Sequence, residues 1–150
     1  MKLHLGCGTL YKEGFENIDI DKSVKAEKHC NLDEGIPYPD NTFDYILAIH
    51  ILEHLWDKEK ILKEIARVAK NGCVVKIFIP NYASRNAWDH PQHKSYWTRY
   101  TVTNIPEFKD NTVISSGFFL SRIVDFMPNC IQRFIEPLAF SLDITIKVKK

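Results

Sequence analysis

Two short segments gather side chains that could bind a metal or move a proton. His50-Ile51-Leu52-Glu53-His54 sets two histidines four residues apart with a carboxylate beside them. On a helix the two rings would share one face and Glu53 could act as a base, which is zinc-type chemistry; Glu64 or Glu136 would be the third ligand. Asp89-His90-Pro91-Gln92-His93 is the second cluster. An imidazole with a free pKa of about 6.5 can take a proton from a hydroxyl, so His93 is a candidate general base. Asp89, His90 and His93 also have ligand chemistry, but a fourth partner is missing. Plain packing explains both segments too: His54 under a turn, His93 stapling its own loop. A third group is of another kind. Gly6-Cys7-Gly8 brackets a turn where backbone can approach a ligand closely, and Asp19 follows at the end of a short apolar run. A carboxylate there can accept hydrogen bonds from a ribose diol, or can simply be a solvated strand end.

These residues need elements to position them. Leu3-His4-Leu5 reads as a first strand ended by the glycines, and Phe15 to Ile20 as a second, with Asp19 and Asp21 at its far end. Residues 31–42 are turn-rich, with two prolines and a glycine. Phe43–Ile49 is almost continuously apolar, the pattern of a strand buried on both faces. Asp57 can cap a helix over Lys58–Lys70, where Ile61, Leu62, Ile65, Ala66, Val68 and Ala69 recur at helical spacing. Asn71-Gly72 would end that helix, and Cys73–Ile79 is the next strand. Residues 81–106 read as an ordered excursion, because a linker would lack Trp88, Tyr96, Trp97 and Tyr100. Those rings could stack on an acceptor or fix the loop. A strand and a helix fit residues 111–127, and Leu142–Val148 alternates as a terminal strand. Strands alternating with helices predict an α/β fold with a mostly parallel, doubly wound sheet. In such sheets ligands bind beyond the carboxyl ends of the strands, which is where the glycines, Asp19, His50 and Asn81 fall.

The 150 residues suit one domain, 1–150. Apolar residues make up 45% and charged ones 26%, against disorder, collagen and coiled coil. A net charge of +1 gives no support to nucleic acid or an anionic membrane as partner. No apolar run is long enough to span a bilayer, and the N-terminus lacks the apolar core of a secretory signal. Cys7, Cys30, Cys73 and Cys130 form no Cys-x-x-Cys pair and read as reduced, mostly buried thiols of a cytoplasmic protein.

LHLGCG, IDID, IPYPDNTFDYILAIHILEHL and NGCVVKIFIPN together resemble the class I S-adenosylmethionine-dependent methyltransferases. The likeness is greatest to the small methyltransferase type 11-like branch and covers about residues 3–98. Its most specific part is Ile36-Pro37-Tyr38-Pro39-Asp40-Asn41-Thr42-Phe43-Asp44, ending in Glu53-His54-Leu55. The resemblance implies a Rossmann-like fold and S-adenosylmethionine as cofactor, with S-adenosylhomocysteine as product. It places Leu5, Gly6, Cys7 and Gly8 under the methionine part, Asp19 on the ribose and Ile20 against adenine. Asn31 and Leu32 match the adenine-contacting pair, while Ala48, Ile49 and His50 would lie near the sulfonium and the acceptor. Pro91 and His93 match a Pro-x-His element of the same family. His93 and His50 are therefore the two candidates for a catalytic base, and no metal is expected.

Three departures from the family pattern matter. The crossover helix between the first two strands is missing or very short, since only residues 9–14 are available. Asn31 stands where the family has Asp, and no helix precedes the first strand. The expected activity is O- or N-methylation of a small-molecule or sugar-containing acceptor. A non-catalytic methyltransferase-like binding or partner domain is the alternative. A zinc peptidase read from His50-x-x-Glu53-His54 is a remote one. A homodimer is expected from the under-covered pocket and from Phe118-Phe119, Phe126-Met127 and Phe134-Ile135.

Overall fold

The computed structural model describes residues 1–106, 108, 112–116 and 141–150. In chain order its elements are β1 (Lys2–Leu5), β2 (Glu16–Asp19), β3 (Lys28–His29), β4 (Phe43–Ile49) and a 3-10 turn at Leu52–His54. Then come α1 (Lys58–Val68), β5 (Ala69–Pro80), α2 (Arg85–Trp88), α3 (Arg99–Thr103), β6 (Thr112–Ser116) and β7 (Ser141–Lys147). They build one seven-stranded sheet in the order β3-β2-β1-β4-β5-β7-β6. The first five strands pair in parallel, and β7 runs antiparallel to both β5 and β6. This is the expected α/β architecture. The strand order reverses direction between β1 and β4, with Leu5 opposite Ala48. The crevice for a ligand therefore opens beyond Leu5 and Ile49.

The sheet centre is covered on both faces. Leu3, His4 and Leu5 are all buried, as are Ile46, Leu47 and Ala48 of β4, so the near-continuous apolar runs have the physical basis assigned to them. The Asp57 side chain accepts a hydrogen bond from the Lys60 amide (2.9 Å) and caps α1, whose Ile61, Leu62, Ile65, Ala66 and Val68 enter the core.

Two boundaries differ from the sequence reading. The helix stops at Val68, not at Lys70, and Asn71-Gly72 lies inside β5. The amides of Asn41 and Thr42 bond the carbonyls of Arg67 and Val68 (3.0 and 2.8 Å), so a distant turn takes up the helix end. Pairing of β4 with β5 then jumps from Phe43↔Ala69 to Tyr45↔Val74, and Gly72 (φ +81°) occupies the irregularity. Strand β3 was not foreseen. Of the strand and helix expected over 111–127, β6 is observed, and the remainder lies outside the described residues, as do Glu136, Cys130 and the phenylalanine pairs.

The crossover helix between β1 and β2 is absent, as expected. In its place Asn17, fully buried, fastens the connection. Its amide nitrogen donates to the carbonyls of Lys12 and Phe15 (2.9 and 3.0 Å), and its oxygen accepts from the Lys12 amide (3.0 Å). Glu27 accepts from the Asn17 backbone (2.7 Å) and from the Tyr11 hydroxyl (2.5 Å). A polar side chain thus supplies the order that a helix supplies elsewhere, with its own donors and acceptors satisfied. No helix among the described residues is long and apolar enough to cross a membrane.

Candidate functional site

The loop after β1 is held open by backbone conformation. Gly6 and Gly8 both have positive φ (+57° and +49°). A Cβ on Gly6 would lie 2.3 Å from Cγ1 of Ile51, so the chain passes directly against that side chain. The Gly8 amide donates to Oδ2 of Asp19 (2.7 Å), and the Asp21 amide donates to Oδ1 (2.9 Å). Asp19 therefore pins the glycine loop to the end of β2, while each oxygen keeps a lone pair for a further donor.

Around this carboxylate lies a small cavity of about 150 Å³. Of the sequence-derived cofactor residues, Gly6, Asp19, Ile20, Asn31 and Leu32 line it. Leu5, Cys7 and Ala48 are buried in the core behind the loop, and Gly8 and Ile49 are partly exposed beside it. Sequence reasoning missed Cys30, Asp33, Ile51, His54, Leu55 and Lys94, which complete the wall. Ile51 and Leu55 flank the Glu-His pair, and their apolar type was the available signal. Asn31 is committed locally: its oxygen accepts from the Asp33 amide (3.0 Å). Asp33 in turn accepts from the Trp56 amide (3.0 Å), and Lys60 donates to its carbonyl. Burial pushes the Cys7 and Cys30 thiols up.

A second cavity, about 620 Å³, opens beyond β4 and β5, and His54 lines both. It brings together His50, Glu53, His54, Asp89, His90 and His93, so both histidine segments meet in space. They do not meet on a helix. Residues 52–54 form a 3-10 turn of three residues, and the long helix that the peptidase reading requires is absent. Glu64 is also elsewhere, bound to Arg67 and to the Ile36 amide. His50 adopts a left-handed backbone (φ +50°), unusual for a non-glycine residue, while its amide continues the ladder to the Phe78 carbonyl (2.9 Å). That conformation leaves its ring exposed to the cavity. Nδ1 of His50 lies 3.1 Å from Oε1 of Glu53, which is only 2% exposed, and this carboxylate raises the imidazole pKa.

Glu53 also positions the loop. Its carbonyl accepts from the amides of Lys94 and Ser95 (2.8 and 3.0 Å). Ser95 Oγ donates to the Leu52 carbonyl and accepts from the indole N–H of Trp97, which is fully buried. Trp88 stacks on Tyr96 with centroids 4.0 Å apart and donates to the Tyr82 carbonyl (2.6 Å). Three of the four aromatics thus fix the loop; Tyr100, in α3, is half exposed. A third cavity, about 820 Å³, lies between the start of α1 and α3 with mixed charges on its wall. It lies apart from the strand ends, so its size does not make it the site.

Residues 15–77 match the family described as Methyltransferase domain. Over 70 residues the chain is 52% identical to ajmaline N-methyltransferase of Rauvolfia serpentina, an alignment covering 41% of this chain and 24% of that one. The chain spans between about a quarter and two fifths of the length of the first curated relatives it matches. Among solved structures it superposes on an S-adenosylmethionine-dependent methyltransferase of Archaeoglobus fulgidus with a TM-score of 0.70 at 21% identity, covering 97% of this chain and 85% of the other. It superposes equally on a chain from the complex of the Haloferax volcanii Trm112 methyltransferase activator with its methyltransferase partner (TM-score 0.69, 14% identity, 99% and 82% covered). At these identities the superpositions speak for the fold. Residues 15–77 are thus similar in sequence to the Methyltransferase domain family, and the strand order β3-β2-β1-β4-β5-β7-β6 belongs to a fold shared with solved S-adenosylmethionine-dependent methyltransferases.

Proposed function

We propose that this protein binds S-adenosylmethionine at the carboxyl ends of β1 and β2 and transfers its methyl group to an oxygen or nitrogen of a small-molecule acceptor held in the 620 Å³ cavity. The observation that carries the reading is Asp19. A carboxylate with spare lone pairs stands at the wall of an otherwise mostly apolar slot formed by Ile20, Leu32, Ile51 and Leu55. That combination suits an adenosine, an apolar ring system joined to a diol. The cofactor supplies an electrophilic methyl on a sulfonium. The chain's own contribution is placement, and two adjoining cavities sharing His54 would set donor and acceptor side by side. His50 is the group we assign to take the acceptor's proton: its ring is exposed to the cavity and is oriented through Nδ1 by a buried carboxylate. His93 lines the same cavity with its Nδ1 fixed to the Ala87 carbonyl (2.9 Å). The name of the plant relative, an N-methyltransferase, fits a small-molecule acceptor.

A second reading is favoured by the cofactor slot itself. At about 150 Å³ it falls below the roughly 300–1,000 Å³ of ordinary ligand pockets. Trp56, 70% exposed, stands next to Leu55 of its wall. A partner subunit covering this edge would complete the slot, as an activator accompanies the Haloferax volcanii neighbour.

Calorimetric titration with S-adenosylmethionine and S-adenosylhomocysteine tests the proposal, with Asp19→Asn alongside. An amide is uncharged and its nitrogen cannot accept, so the diol of the ligand would lose one charge-assisted bond to this side chain. Losing one charge-assisted bond costs about 1.5–3 kcal/mol, so Kd should rise about 10–100-fold. Absence of binding at millimolar ligand, or an unchanged Kd in Asp19→Asn, overturns the assignment.

A further inference from the structure

The cluster at the 620 Å³ cavity holds more than a base. One ligand atom from each of Glu53, His54 and His93 lies within 4.8 Å of the others. Two features of these side chains suit a bound cation, and a neighbouring histidine supplies a contrast. First, Nδ1 of His54 is 3.2 Å from the Gln92 carbonyl, and Nδ1 of His93 is 2.9 Å from the Ala87 carbonyl. A carbonyl only accepts, so both Nδ1 atoms carry the proton and both Nε2 atoms present a bare lone pair. Fixing a ring by a backbone carbonyl through its far nitrogen is how metal-binding histidines are oriented. Second, Glu53 is buried, yet its Oε2 has no hydrogen-bond partner among the described residues. A buried carboxylate oxygen left unpaired is expensive unless a cation satisfies it. The neighbouring His90 behaves differently. His90 Nδ1 accepts from the Gln92 amide (3.4 Å), which puts the proton on Nε2 and leaves no lone pair to offer.

We propose that Glu53, His54 and His93 form a binding site for a divalent transition-metal ion of the zinc class, with its open coordination positions facing the cavity. Imidazole and carboxylate ligands suit zinc, cobalt and nickel, and three protein ligands leave room for an oxygen or nitrogen donor of a bound molecule. Ligand atoms around such an ion stand about 3.4 Å apart in tetrahedral geometry, so the side chains must close by up to about 1.4 Å from the 4.8 Å spread. His54 ends the 3-10 turn at Leu52–His54, and His93 lies between α2 and α3, outside any helix or strand.

The test is titration of the tag-free, chelator-treated full chain with cobalt(II), read by visible absorption, and with zinc(II), read by calorimetry. One equivalent should bind with an intense tetrahedral-type cobalt spectrum. His54→Ala and His93→Ala should each weaken binding about 100-fold or more, and His90→Ala less than about threefold. His93→Ala removes a half-buried loop side chain, and its thermal unfolding, recorded in parallel, shows that the fold survives. Lack of saturable binding, retention of binding in both His54→Ala and His93→Ala, or a loss caused by His90→Ala instead overturns the site. Both readouts are made without S-adenosylmethionine, so failure of the cofactor assignment and failure of the metal site are separately visible.

Discussion

Replacing Gly6 and Gly8 one at a time by alanine separates two costs that the structure assigns unequally. Both residues have positive φ, so either alanine must adopt a left-handed backbone, which costs about 1–2 kcal/mol. At Gly8 that is the whole effect, because a Cβ there meets nothing within 4 Å and the amide bond to Asp19 survives. At Gly6 the new Cβ would sit 2.3, 2.5 and 2.7 Å from Cγ1, Cδ1 and Cβ of Ile51. The last of these is next to the backbone, so a rotamer change does not relieve the clash and the segment after β4 must move. Such overpacking adds about 1–3 kcal/mol, giving about 2–5 kcal/mol in total for Gly6→Ala. Urea unfolding followed by circular dichroism measures both. With a slope of about 2 kcal/mol/M, the midpoint should fall by about 0.5–1 M for Gly8→Ala and by about 1–2.5 M for Gly6→Ala. Equal losses would refute the close approach of the glycine loop to Ile51, and with it the wall that these residues share.

Two other outcomes follow from burial and charge. Arg67 donates to Glu64, Asp40 and the carbonyls of Ile36 and Tyr38, tying the turn-rich segment to α1. Arg67 holds the Glu64 carboxyl below its ordinary value of 4.5, so this interaction stabilises fully above that pH and fades as pH falls through the lower folded value. Glu64→Gln should therefore cost about 1–2 kcal/mol at pH 7, and the gap to wild type should narrow progressively in unfolding curves recorded as pH falls below 4.5; a gap independent of pH contradicts the pairing. Burial pushes the Cys73 thiol up to about 11, so peptide mapping after iodoacetamide at pH 8 should find it unlabelled until the protein is unfolded with urea, and rapid labelling of native protein contradicts its place in the core.

Much of the fold was legible because its signals are local. The apolar run Phe43–Ile49, the Asp57 cap and the spacing of Ile61, Leu62 and Ile65 each encode one element through neighbours a few residues away. The glycine turn and Asp19 were legible for the same reason: a turn and a strand end fix their environment. Where distant backbone intervenes, the local signal failed, as when Asn41 and Thr42 closed α1 before Asn71-Gly72 was reached. The replacement of a crossover helix by the hydrogen bonds of Asn17 also left no sequence pattern, since any asparagine could occupy such a position.

The histidines show the division most clearly. By itself the sequence determined that His50, Glu53 and His54 lie at the end of a central parallel strand, because Phe43–Ile49 had to be one. Their spacing invited a helix with both rings on one face. The tertiary structure decided otherwise: a left-handed His50 and a short 3-10 turn send Glu53 inward. His54 then stands beside His90 and His93 of the segment that follows β5 in the chain, with ring centroids 5.7 and 5.0 Å away. Spacing along a chain reports only what local backbone geometry can bring together. Which nitrogen of each ring keeps its lone pair depends on carbonyls at Ala87 and Gln92, and only the closed fold puts those in place.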